Sequence, residues 1–110
     1  MHLVHNTNNA KIWQSDIENC FYFDFKGQQY KLNVCGFIAL KTKLINIDIE
    51  EMIISDELGA DIAIVPLCND ERLLVLTIDE ILELRELFPG AMVMLELNSI
   101  LHSRVYSSTL

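Results

Sequence analysis

Three cysteines, three histidines and sixteen carboxylates are the groups from which a catalytic or metal site in this 110-residue chain would have to be built. Cys20, Cys35 and Cys68 form no C-x-x-C pair and have no histidine close by in sequence. Structural zinc wants about four ligands in closely spaced pairs, so neither zinc nor a disulfide framework is expected. Cys35 and Cys68 lie in or beside apolar runs, where a free thiol serves as a small buried hydrophobe. His2 and His5 have the H-x-x-H spacing of a metal pair. They fall, however, in an Asn-rich segment that reads as a frayed tail. A Cys–His nucleophile would have to recruit His102, the one histidine away from that segment, and the spacing gives no reason to place it beside Cys20 or Cys35. The phosphate-binding glycine loops, the G-x-S-x-G elbow, the H-E-x-x-H helix and the EF-hand loop are all absent from the sequence. No catalytic residue, cofactor or metal ligand is assigned, and the chain is not expected to be an enzyme.

The carboxylates are informative through their placement. Residues 1–47 carry five lysines and three acids, residues 48–86 twelve acids and two arginines, and residues 87–110 one acid and one arginine. A net charge of −8 concentrated in the middle of the chain repels phosphate backbones, so nucleic-acid binding is not expected. Asp79, Glu83 and Glu86 fall opposite the apolar arc of a predicted helix, where solvated charge belongs. Asp70 and Glu71 lie in a predicted tight turn. Glu50 and Glu51 suit the start of a helix over residues 49–58, whereas Asp56 and Glu57 oppose its dipole at the other end. Asp48, Glu50, Glu51, Asp56 and Glu57 are therefore the candidate contacts to a partner. Arg85 is the sixth candidate, because it falls inside an apolar helical arc. There a guanidinium must snorkel, pair within the chain or cross an interface.

The elements that would position these residues follow from periodicity. Phe21, Phe23 and Phe25 alternate with polar partners, as do Tyr30, Leu32 and Val34, around Lys26-Gly27-Gln28. That is a hairpin, with a further N-terminal strand allowed over Lys11 to Gln14. Residues 36–45 read as a helix in preference to a strand, from Phe37, Leu40 and Leu44 at helical spacing. Asp48 with Glu51 resembles a capping box for the helix ending at Leu58-Gly59. Ile62 to Leu67 and Leu73 to Leu76 read as a second hairpin, the latter run apolar throughout and so expected to be central and covered on both faces. Thr77 and Glu80 form a second capping box, opening a helix expected to stop at Phe88 before Pro89-Gly90. Another helix is expected over residues 91–103, with a strand over Met92 to Leu97 as the alternative; the helix would make a helical hairpin.

The expected fold is α+β: an antiparallel sheet from two hairpins under a C-terminal helical hairpin and one or two short helices. Ile, Leu and Val supply 35 residues for a core, which suits a single domain over residues 10–105 with flexible ends at 1–9 and 106–110. No apolar run approaches the roughly 20 residues that span a bilayer, and the first residues lack the basic and apolar regions of a secretory signal, so a cytoplasmic location is expected. By exclusion, the sequence points to a small acidic protein-interaction module with a basic partner, such as an immunity or antitoxin-like inhibitor or a nucleic-acid mimic. The alternative is a self-associating homodimer. A ligand-binding or enzymatic role would need a pocket joining His102, Tyr22, Tyr30 or a cysteine to convergent carboxylates.

Overall fold

The computed structural model describes residues 1–55, 61–67 and 72–108, with side chains through Leu97. Strands β1 (His2–Asn6), β2 (Ala10–Ser15), β3 (Cys20–Phe25) and β4 (Gln28–Leu32) form an antiparallel meander in sequence order. The period-two pattern sends Ile12, Phe21, Phe23, Phe25, Tyr30 and Leu32 to one face, and all are buried. The link between β3 and β4 is two residues, Lys26 and Gly27, with φ of 51° and 74°. Positive φ at both positions is the type I′ turn, whose twist matches that of the flanking strands.

Helix α1 (Val34–Ile45) follows, capped by Asn33, whose side-chain oxygen accepts from the Gly36 amide at 2.7 Å. Its Phe37, Leu40 and Leu44 pack on the inner face of the sheet. Helix α2 (Ile49–Ile54) is capped by Asp48, whose carboxylate accepts from the Glu51 amide at 3.1 Å. It stops at Ser55, where the backbone turns extended, three residues before the expected Leu58.

Strands β5 (Ile62–Pro66) and β6 (Leu73–Thr77) pair antiparallel as the second expected hairpin, but as a separate two-stranded sheet. Leu73 to Leu76 is therefore not a central strand. Leu74 and Leu76 are buried, while Leu73 and Val75 face outward. An apolar run on both parities has the same sequence whether a second layer covers it or leaves it open, which is why the expectation failed.

The expected helical hairpin is instead one helix, α3 (Ile78–Ser108), running through Pro89. A proline inside a helix removes one backbone hydrogen bond and crowds the preceding turn, about 3 kcal/mol. Burial on both sides of it outweighs that cost: Leu87, Phe88 and Ala91 are fully buried, and the Phe88 ring lies 5.1 Å from both Phe23 and Phe37. Gly90 serves packing and does not end the helix. A Cβ there would sit 2.6 Å from Nε2 of His5.

That contact belongs to β1, in the segment expected to be a frayed tail. Val4 is buried in the core, and the β1–β2 turn is fastened to α3 by Glu83. Long-range contacts of this kind leave no local mark in a short polar segment. Cys20 is buried, whereas Cys35, expected to be buried, is exposed on α1. The α1 stripe that faces the core is Phe37, Leu40 and Leu44, so residue 35 falls outside it. Cys68 lies outside the described residues.

Candidate interaction surface

Of the predicted contact residues, Asp48, Glu50 and Glu51 stand exposed on α2, while Asp56 and Glu57 lie outside the described residues. Asp48 is occupied as the α2 cap. Arg85 has a different task. Of the three alternatives it takes the pairing within the chain, with backbone and not with a buried carboxylate. Its Nε donates to the Leu44 carbonyl at 2.8 Å, and one terminal nitrogen donates to the carbonyls of Ile45, at 3.0 Å, and Ile47. These are carbonyls at and just beyond the end of α1, which have no helical partners of their own. The guanidinium also complements the negative end of the helix dipole. Arg85 thus fixes the corner from which α2 departs and so positions the acidic helix.

The surface that sequence reasoning missed is the outer face of the β5–β6 hairpin. Cross-strand register sets Ile64 opposite Val75, Pro66 opposite Leu73 and Ile62 opposite Thr77. Ile64 is 61% exposed, Leu73 54%, Val75 50% and Ile62 41%. Five apolar side chains, counting Pro66, thus form one contiguous face open to solvent. The inner face, Val65, Leu67, Leu74 and Leu76, is buried in the core. An isolated two-stranded sheet is marginal in water, and this one is held by that inner layer and by two cations. Lys43 Nζ donates to the Pro66 carbonyl at 2.8 Å, and Arg72 lies over the Tyr30 ring at 4.4 Å while donating to the Gln29 carbonyl.

Acids gather at the Ile62 end of this face. A cleft of about 300 Å³ between α2 and β5 is lined by Ile47, Asp48, Glu51, Met52, Ser55, Ile62 and Ala63. Asp61 and Asp79, both exposed, flank Ile62 and its partner Thr77 in the chain. An apolar centre with a polar, charged rim is the layout of a protein-binding patch.

The other polar groups are tied into structure. Glu83, expected on a solvated helix face, accepts from Thr7 Oγ1 at 2.5 Å and from Asn9 Nδ2 and the Asn9 amide at 2.8 and 3.0 Å. Partial burial pushes its carboxyl up, but these hydrogen bonds outweigh that and leave it below the ordinary value. Glu80 behaves alike: burial raises it, and Lys26 at 2.5 Å together with the Thr77 contacts brings it lower. On the open face of the four-stranded sheet, Tyr22 donates to Glu18, which also pairs with Lys31 at 2.8 Å, and Trp13 Nε1 donates to Asp24 at 2.8 Å. The hydrogen bond from Lys31, with that from Tyr22, draws the Glu18 carboxyl down. Among the described residues, no group of three or more His, Cys, Asp and Glu could hold a metal, and no helix is long and apolar enough to cross a membrane. The side chain of His102, and Asp70 and Glu71, lie outside what is described.

Comparison of the chain with protein-family models, with curated proteins and with solved structures finds no match.

Proposed function

We propose that this chain is a non-enzymatic protein-interaction module whose β5–β6 outer face docks on a basic partner, an apolar patch ringed by lysine or arginine. The observation that carries the reading is the open face of Ile62, Ile64, Pro66, Leu73 and Val75, bordered by exposed acids of α2, Asp61 and Asp79. Apolar contact would supply affinity there. The acidic border, within a segment of twelve acids and two arginines, would steer a basic surface toward it and penalise an acidic one. A second copy fits this face poorly, because it would bring two acidic borders together.

The test is capture of nuclease-treated native lysate on the immobilised chain, with three baits side by side. Wild type should retain a basic protein released at moderate salt. Ile64→Glu with Val75→Glu should lose it, and Asp48→Asn, Glu50→Gln, Glu51→Gln together should release it at lower salt. Equal retention by all three baits refutes the proposal.

A further inference from the structure

Antiparallel strands bond in alternation, one opposed pair exchanging both backbone hydrogen bonds and the next pointing its N–H and C=O groups outward. In the β5–β6 hairpin the phase is fixed by the Leu67 amide, which donates to the Arg72 carbonyl at 3.5 Å. Counted along the register from there, Val65 with Leu74 and Ala63 with Leu76 are bonded pairs, and Pro66, Ile64 and Ile62 turn their backbone groups away from β6. Two contacts agree with that phase. The Pro66 carbonyl is reached from outside by Lys43, and the amide of Thr77, opposite Ile62, donates to Glu80 Oε1 at 2.9 Å. Among the described residues nothing takes the N–H and C=O groups of Ile62 and Ile64. We propose that an extended, basic peptide segment of the partner adds here as a third strand, pairing with Ile62 and Ile64 along the outer edge of β5. This rests on the reading of the hairpin as the docking site and says how the partner is held.

The free backbone groups select an extended occupant, because only a strand offers its own N–H and C=O groups at the matching repeat. Charge selects the side chains. Asp48 and Glu51 line the cleft that opens beside Ile62 and Ala63, and Asp61 precedes Ile62 in the chain; all three are exposed. Lysine or arginine on the added strand would meet these acids, while Ile47 and Met52 in the same cleft would take its apolar residues. A second copy pairing edge to edge would instead set the acids against their own counterparts. The outer edge of β6 is bridged to the meander at both ends: Arg72 donates to the Gln29 carbonyl of β4 at 3.2 Å, and Glu80 holds Lys26 of the β3–β4 turn at 2.5 Å. Lys43 closes β5 at Pro66, so the pairing is confined to Ile62 through Ile64.

The test is fluorescence anisotropy of a short labelled peptide of alternating lysine and valine with the full chain, beside the same peptide with glutamate for lysine. Wild type should bind the lysine peptide at least about tenfold more tightly than the glutamate one. Adding it should slow amide exchange at Ile62 and Ile64, followed by NMR on wild type. Ile64→Pro deletes an outward N–H that no internal bond uses, which an edge strand tolerates. It should bind about tenfold more weakly than Ile64→Ala, which also trims the side chain but keeps the donor; circular dichroism checks that both are folded. No preference for lysine, equal binding by the two variants, or protection at Val75 in place of Ile62 and Ile64 overturns the proposal. So does a two-chain mass in sedimentation that Ile64→Pro reduces to one, which would give the edge to a second copy. A basic partner captured equally by Ile64→Pro and Ile64→Ala overturns strand addition alone and leaves the docking face standing.

Discussion

Replacing Arg85 with alanine removes every hydrogen bond that the side chain makes to the three carbonyls of Leu44, Ile45 and Ile47. A hydrogen bond to a charged group contributes about 1.5–3 kcal/mol when shielded from water. Only part of this fork is shielded, and freed carbonyls at a helix end can turn to solvent. The expected loss is therefore about 3 kcal/mol, including the helix-dipole contribution of about 0.5 kcal/mol. A domain of this size shifts its melting temperature by about 4 °C per kcal/mol, so Arg85→Ala should melt about 12 °C below wild type. Arg85→Lys keeps the charge but cannot span three carbonyls with one ammonium, and should recover about a third of the loss. Calorimetry or chemical denaturation reads both numbers, and amide exchange should show the loss concentrated in the last turn of α1 and in α2. A melting temperature within about 2 °C of wild type for Arg85→Ala would refute the positioning role.

Other outcomes follow from the local geometry. Thr77→Ala removes the acceptor for the Glu80 amide in the α3 capping box and should cost about 1 kcal/mol, read as a melting shift of about 4 °C. Gly90→Ala should gain about 1 kcal/mol of helix propensity when His5 is also replaced by alanine, and less than that, or nothing, when His5 is present, because the added Cβ meets the imidazole; a double-mutant cycle by denaturation measures the difference. Because Glu83 is held below its ordinary value of 4.5, unfolding at acid pH takes up a proton. Its contribution is complete above pH about 4.5 and is lost as pH falls through the lower folded value. Glu83→Gln should flatten that part of the stability–pH profile, and an unchanged slope would show that Thr7 and Asn9 do not hold the carboxylate in solution.

What could be read from the residues was local. The β3–β4 hairpin was legible because Phe21, Phe23 and Phe25 alternate with Tyr22 and Asp24, and because Gly27 suits the positive φ of a tight turn. Both caps, the reciprocal box of Thr77 with Glu80 and the Asp48 carboxylate on the Glu51 amide, were legible because their partners lie three residues apart. Pro89-Gly90 misled for the complementary reason: its local preference to end a helix is overruled by Phe88, Leu87 and Ala91, whose burial depends on strands some sixty residues away in sequence. Strand β1 was invisible because its support, Glu83 against Thr7 and Asn9 and Gly90 against His5, comes from the far end of the chain. Arg85 announced itself as a charge in an apolar arc, but its partners are backbone carbonyls, and backbone carries no sequence label. The hairpin face was hidden in plain view, since the apolar run Leu73 to Leu76 fits a strand covered on both faces and one left open on its outer face equally well.

Among the described residues every strand pairs with a neighbour in the chain, without a crossover. Sequence-local pairing of this kind shortens the loops that must close during folding and favours fast formation. The covering of the sheet has the opposite timing. The four strands of the meander are complete by Leu32, but Ile81, Leu84 and Phe88 arrive only with the last helix. During vectorial synthesis the inner face of the meander therefore emerges well before its lid. The nascent chain must pass through a stage in which Phe21, Phe23 and Phe25 are bare or only partly shielded by α1, and a stall in translation between Ile45 and Ile78 would prolong that exposure.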